Sequence, residues 1–390
     1  MDDAASTQVG LAVIAREWTR LGCIGFGGPP THIALLRKMC VEERHWMDAR
    51  EFEEAVAAVN LLPGPASTQL AIYCAWRLRG SVGGLLGGIC FIVPGLIIIL
   101  ALSVVLLARR PEHWIEGAAR GSGAAVPAVA LLAAWRLVAP SRARLAAERD
   151  VQWRWIAYIA IGIATAALAG EFLVLALVGC GLIEWSLRRP ERATAPGLFV
   201  SSTRILGVAG AGAAGGLAGL AWVAFKVGAL NYGGGFVIIP LMQHDVVTTY
   251  HWMTAGQFLG AVALGQVTPG PVVQTVAVVG YAAAGVGGGL FAAAIAFAPS
   301  FLFVLGGGRH FGRLRSNVAV QSFFTGAGAA VIGGIAGSAI TLGVTLQFYW
   351  QVAVLAGALL WLFVFRRGVV STLLITGLVG ALLSLAGVKV

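Results

Sequence analysis

The sequence predicts an all-α polytopic membrane protein built from two homologous halves. Three observations carry that reading. Charged residues make up 11% of the 390 positions and hydrophobic residues 58%, with a mean hydropathy of +0.85, whereas a soluble domain is about a quarter charged. Apolar runs of the length a bilayer core requires recur at 82–108, 205–225, 286–306, 347–365 and 369–388. The third observation is an internal repeat. The apolar runs are continuous rather than alternating, which argues against a β-barrel and, with their number, against a large soluble protein with buried helices.

The repeat sets the domain organisation. Shifted by 206 positions, "HWMDAREFEEAVAAVNLLPGP" (45–65) falls on "HWMTAGQFLGAVALGQVTPGP" (251–271), and upstream "RLGCIGFGGPP" (20–30) falls on "KVGALNYGGGF" (226–236). One deletion then changes the shift to 205, which pairs Gln69 with Gln274, Gly80 with Gly285 and Pro94 with Pro299. The halves are therefore 1–200 and 201–390, with a polar, basic linker over 188–200. Basic loops (140–150, 188–192, 309–315 and Arg366–Arg367) fall at alternate positions in the two halves, with Arg109 and Arg110 as the exception. That favours opposite orientations and an odd number of spans per half, an inverted repeat of the kind secondary transporters use to alternate access.

Each half is broken at equivalent places. Proline inside a helix removes a backbone donor and clashes with the preceding turn, at about 3 kcal/mol or more. Pro63-Gly64-Pro65 and Pro269-Gly270-Pro271 should therefore split apolar segments into half-helices. At membrane depth such a break is tolerated where protein or a cavity covers it. The half-helix that follows presents unpaired N–H groups and a positive dipole end, to which Ser67 and Thr68 add hydroxyl donors, so the arrangement resembles an anion cradle. Glycine runs make a second pair of breaks, with Phe26, Gly27, Gly28 and Pro29 in one half and Asn231, Tyr232, Gly233 and Gly234 in the other.

Arg20 and Lys226 stand at equivalent positions six residues before the aromatic of each glycine run. A charge at that depth is expensive and usually functional, although both side chains are long enough to snorkel. Asn60 and Gln266 precede the proline breaks, and Gln69 and Gln274 follow them; these amides serve either a ligand or interhelical hydrogen bonds. Arg77 has alanine as its counterpart, so it reads equally as an asymmetric anion ligand or as a flanking charge. Glu116 and Arg120, four apart, are a candidate proton-linked site but read first as a structural pair.

Other chemistries find no support. The acidic N-terminus lacks the basic region of a signal peptide. Cys23, Cys40, Cys74, Cys90 and Cys180 show no metal or disulfide spacing, and the six histidines show no HExxH. No GxxxxGK[ST] is present, so an ATP-driven motor is not expected on this chain. The net charge of +10 reads as membrane orientation rather than nucleic acid binding. No enzyme activity, cofactor or metal is expected.

At this point the residues are recognisable. "FGGPPTHIALLRKMCVEERHWMDAREFEEAVAAVNLLPGPASTQLAIYCAWRLRGSVGG" resembles the first domain of the chromate ion transporter family in its two-domain form, and "FKVGALNYGGGFVIIPLMQHDVVTTYHWMTAGQFLGAVALGQVTPGPVVQTVAVVGY" resembles its second. The resemblance implies a multi-pass transporter of the bacterial inner membrane that exports chromate. Sulfate, an isosteric oxyanion, is the alternative substrate; a channel or a membrane enzyme is a remote alternative. Carried over are Phe26, Gly27, Gly28, Pro29, His32, Arg37, Trp46, Pro63, Gly64, Pro65, Ser67 and Gln69. The second set is Tyr232, Gly233, Gly234, Gly235, Pro240, Trp252, Gln266, Pro269, Gly270 and Pro271. One departure is Asn60 where the family usually has glutamine. The expectation is about ten to twelve spans or half-spans, a dianion site between the halves, drive from membrane potential or a proton gradient, and glycine faces that permit a homodimer.

Overall fold

The computed structural model describes residues 9–60, 62, 64–108, 111–143, 145, 149–188, 216–231, 236, 238–307 and 317–389. All regular structure among them is helical. The first half runs α1 (Leu11–Ile24), α2 (Pro29–Arg37) continued by a π-helical turn (Lys38–Glu43), α3 (Ala49–Val59), α4 (Ala66–Leu106), α5 (His113–Ala143), α6 (Arg149–Leu168) and α7 (Leu173–Leu187). The second half repeats it as α8 (Leu217–Leu230), α9 (Ile238–Gln243) with a π turn (His244–Thr249), α10 (Ala255–Val267), α11 (Thr275–Gly307), α12 (Val318–Val344), α13 (Tyr349–Leu359) and α14 (Val369–Leu385). Among the described residues six helices are long and apolar enough to cross a membrane, and four shorter apolar ones accompany them. The boundary at 200/201 and most of the apolar run 205–225 lie outside the described residues.

Local sequence explains the repeat of the elements. His45 and His251 both adopt φ 51°, closing the π turns at the same place in each half. Trp46 N–H then donates to the Cys40 carbonyl at 2.7 Å, and Trp252 N–H to Val246 at 3.0 Å. Two residues on, Asp48 accepts from Glu51 N–H at 2.8 Å and Thr254 from Gln257 N–H at 3.2 Å. These side chains satisfy orphan donors of the first turn and so start α3 and α10. Both helices stop before the prolines.

Helices α4 and α11 are not single rods. Gly80 (φ 60°) and Gly285 (φ 65°) interrupt them, in a backbone region glycine enters without penalty. Beyond each turn the chain folds back on itself: Gly83 and Gly87 lie against Ala75, and Gly88 against Ile72. In the second half Gly280 lies against Gly288 and Ala292, and Gly289 against Ala277. Each element is thus a short arm (66–78 and 275–283) antiparallel to a long one (81–106 and 286–307).

The half-length helices pair in the same fashion. Trp18 on α1 stacks on Trp46 with centroids 6.2 Å apart, and Arg44 reaches Glu17 at 2.6 Å, so α2 returns along α1. Arg77 pairs with Glu51, so the short arm of α4 returns along α3. Both hairpins therefore open on one face of the protein and place their breaks at its middle. Trp18 Nε1–H also donates to the Ala71 carbonyl at 2.8 Å, which joins the two hairpins.

Where equivalent helices of the two halves meet, they run antiparallel. Gly84 faces Leu305, Gly88 faces Phe301, and Leu100 faces Gly289. The last two helices of each half are exchanged, since α6 and α7 pack on α12, while α13 and α14 pack on α5. Small residues allow these backbones to approach: a Cβ on Gly333 would stand 2.0 Å from the Ile159 carbonyl, and one on Gly121 2.3 Å from that of Thr376. Gly333→Leu is expected to lower stability by about 1–3 kcal/mol, because the site can accept new volume only by moving α6; thermal unfolding in detergent measures it. The carboxylate of Glu184, buried on α7, is matched by Arg154 at 2.9 and 3.2 Å, by Tyr158 O–H at 3.1 Å and by Arg188, so this charge is structural.

Candidate functional site

The four breaks converge at one joint between the halves. Gly64 N–H donates to the Asn231 carbonyl at 2.8 Å, and Gly270 N–H donates to the Gly25 carbonyl at 2.9 Å. Gly64 and Gly270 are repeat equivalents, and so are Asn231 and Gly25. Each proline break is therefore tied to the glycine break of the other half by the same bond. Both glycines hold positive φ, 121° at Gly64 and 97° at Gly270. Pro65 and Pro271 are extended and occupy the N-cap positions before α4 and the short 3-10 turn that leads into α11.

The two sides of the joint differ in their side chains. A Cβ on Gly64 would meet Gln69 Nε2 at 2.4 Å and Ser300 Oγ at 3.2 Å. On the other side Gly270 lies against Gln274, which in turn lies against Gly95. Gly95 is the counterpart of Ser300, and Gly25 that of Asn231, so polar side chains gather around Gly64 and glycines around Gly270. Thr68 Oγ1, both amide atoms of Asn231, Gln266 Nε2, Gln274 Oε1 and Ser300 Oγ are buried without a hydrogen-bond partner among the described residues. Gln274 is oriented by its Nε2–H, which donates to the Ile92 carbonyl at 2.8 Å. A buried polar group without a partner costs about 1–3 kcal/mol, so such a concentration is a signature of a place where something else binds.

His32 braces the joint. It is 1% exposed, with Nε2 2.8 Å from the Gly25 carbonyl and Nδ1 3.2 Å from Ser67 Oγ. A carbonyl only accepts, so Nε2 carries the proton and the neutral ring's Nδ1 accepts from the Ser67 hydroxyl. Its ring stands edge-on to Phe91 at 5.1 Å. Gly28 (φ 77°) is the N-cap of α2 and Pro29 its first residue, and Gly27 (φ 99°) precedes them. Phe26 is exposed.

The expected cations each face a carboxylate. Arg20 has a side chain 66% exposed and pairs with buried Glu17 at 3.8 Å, alongside Arg16 at 3.1 Å and Arg44 at 2.6 Å. Lys226 pairs with Asp245 and lies 5.5 Å from the Trp222 ring. Arg77 pairs with Glu51 at the mouth of its hairpin. Asn60 is exposed, although its counterpart Gln266 is buried. Pro63, Tyr232, Gly233 and Gly234 lie outside the described residues. Arg120 meets Glu116 at 2.5 Å, as the spacing suggested. Thr68 was expected from sequence as a hydroxyl donor, and Ser300 was not. Ser300 had one available signal: it follows Pro299 where the other half has glycine after Pro94.

Comparison with known proteins agrees with this architecture. A family model described as chromate transporter matches residues 12–185 and again 218–384. The chain is 31% identical over 337 residues to a chromate transport protein of Cupriavidus metallidurans, covering 85% of this chain and 82% of that one. It is 28% identical over 346 residues to a probable chromate transport protein of Synechococcus elongatus (85% and 84%). To a chromate transport protein of Pseudomonas aeruginosa it is 29% identical over 343 residues (84% and 79%). No solved structure matches it significantly. With the family model covering both halves, the chain belongs to the chromate transporter family.

Proposed function

We propose that this protein exports chromate across the bacterial inner membrane as a secondary transporter, binding the dianion at the joint around Gly64. The observation that carries the reading is Asn231. Its carbonyl holds Gly64 of the other half, while both atoms of its buried amide have no partner among the described residues. With Thr68 and Ser300 hydroxyls and the Gln266 amide it supplies uncharged donors. The first turn of α4 adds its free N–H groups and positive dipole end. A tetrahedral oxyanion accepts at every oxygen, so it satisfies such a set without a fixed cation.

The antiparallel meeting of equivalent helices supports an inverted repeat across the bilayer. Arg44, Arg50, Arg77, Arg142, Arg188, Arg366 and Arg367 end or flank helices on one face, and the positive-inside rule assigns that face to the cytoplasm. Two inverted halves tied at their breaks can exchange inward- and outward-open shapes by rocking about the joint. A membrane potential, negative inside, itself drives a dianion outward by roughly 4–5 kcal/mol per 100 mV.

Efflux of radiolabelled chromate and sulfate from proteoliposomes tests the reading: saturable chromate export with counterflow supports it, and conduction without counterflow would make it a channel. Transport of sulfate with chromate excluded would move the assignment to a sulfate carrier. Arg20→Ala and Lys226→Ala are expected to weaken transport only a few-fold, because each cation already faces a carboxylate. The exposed Arg20 side chain contributes about 0–1 kcal/mol, with Arg16 and Arg44 still on Glu17, whereas loss of the mostly buried Lys226 also lowers stability. Abolition of transport by both would instead place these two side chains on the anion.

A further inference from the structure

We propose that His32 couples proton binding to anion binding, acting through Ser67; this deepens the oxyanion reading above and rests on it. The imidazole is buried at the joint, and the Gly25 carbonyl it donates to also receives Gly270 N–H from the other half. In the neutral ring the single proton of the Ser67 hydroxyl is spent on Nδ1. When a solvent proton binds Nδ1, that nitrogen becomes a donor and Ser67 Oγ its acceptor. The Ser67 O–H is then released to turn toward the first turn of α4, beside Thr68. The change adds one positive charge and one hydroxyl donor next to the proposed anion position. Both favour a dianion, and by linkage the anion favours the protonated ring.

The surrounding charges do not pre-empt this role. On α1, Glu17 is held among Arg16, Arg20 and Arg44. On α3, Glu51 faces Arg77, Glu53 faces Arg37 and Glu54 faces Arg50. On the π turn that continues α2, Glu42 faces Arg37 and Glu43 faces Lys38. The remaining ionisable groups on the packed elements are Cys23 on α1, Cys40 on the π turn and Tyr73, Cys74, Arg79 and Cys90 on α4. The second half has isoleucine at position 238 and valine at 272, where the first has His32 and Ser67. The coupling therefore belongs to one half, and at most one proton binds with each anion.

The test is binding to the purified full chain in detergent. Sulfate, which stays a dianion throughout, is used between about pH 4.5 and 8, a range that brackets a buried imidazole, and chromate at the alkaline end, where it too is a dianion. Calorimetry in two buffers of different ionisation heat counts the protons taken up. For the unsubstituted protein, affinity is expected to fall about tenfold per pH unit above the imidazole pKa, with close to one proton taken up per anion at the alkaline end. His32→Gln keeps a donor and an acceptor but cannot titrate; it is expected to bind with a flat pH profile and no proton uptake. Ser67→Ala keeps the titrating ring and is expected to lose most of the uptake. If His32→Gln retains the slope and the uptake, or weakens binding equally at every pH, the coupling role is wrong while the oxyanion site stands. Absence of binding to the unsubstituted protein at any pH would overturn both readings.

Discussion

Gly64→Ala and Gly270→Ala are each expected to reduce chromate transport by at least about a hundredfold, with the protein still inserted and helical. Two effects add at these positions. A non-glycine residue in a sparsely populated backbone region costs roughly 1–3 kcal/mol, and both glycines lie there, at φ 121° and 97°. The added Cβ also collides: at Gly64 it would stand 2.4 Å from Gln69 Nε2 and 3.2 Å from Ser300 Oγ, and at Gly270 3.0 Å from Gln274 Nε2. Relief requires the buried Gln69 or Gln274 amide to leave the joint, or the turn to shift, which breaks the bond to Asn231 or Gly25 that ties the halves together. Gly285→Ala is the internal control. It carries the same class of strain at φ 65°, but no atom lies within 4 Å of the added Cβ. It is expected to cost about 1–3 kcal/mol of stability and to leave transport close to normal. Parallel measurement of Tm and proteoliposome flux separates the cases. Equal flux from Gly64→Ala and Gly285→Ala would mean that the joint does not govern transport.

That contrast also shows how much of the fold was legible in the sequence. The repeat, the proline breaks and their pairing were open to reading because proline and glycine act through the backbone, whatever surrounds them. The hairpin turns at Gly80 and Gly285 were not. The apolar run continues through them without a change of period, and a single positive φ separates a 41-residue helix from two antiparallel arms. Arg20 shows a different limit. Depth in an apolar segment suggested a ligand, yet Glu17 stands three residues earlier, where helical spacing brings the pair together. For Lys226 the partner Asp245 lies 19 residues away in the π turn of the returning arm, which spacing alone does not reveal. Repeat symmetry does not extend to burial at Asn60. Its counterpart Gln266 is buried because α10 packs against α5, whereas α3, with Glu53 and Glu54 on its open side, sits at the margin. Homologous positions share a backbone, and the exchanged packing of the halves gives them different surroundings.

Asn231→Leu is expected to raise stability and lower anion affinity in the same molecule. The side chain is 1% exposed, with neither amide atom partnered among the described residues. Leucine has nearly the same shape, and replacing an unsatisfied buried polar group by an apolar one is neutral or stabilising. The backbone carbonyl is unaffected, so the bond from Gly64 persists and the joint is not broken. A hydrogen bond to a charged group contributes about 1.5–3 kcal/mol, so affinity for chromate should fall roughly ten- to a hundredfold at unchanged or higher Tm. Asn231→Asp keeps the shape and places a carboxylate against a dianion; its loss of affinity should be larger still, and larger at high pH than at low. Ser300→Ala removes one hydroxyl and is expected to lose less than Asn231→Leu. The double variant should fall short of the product of the two losses, because both groups address one ligand and neighbouring sites are not additive. Leucine at 231 with affinity intact would show that the amide faces no anion, and the site would then have to be sought on the Gly270 side of the joint.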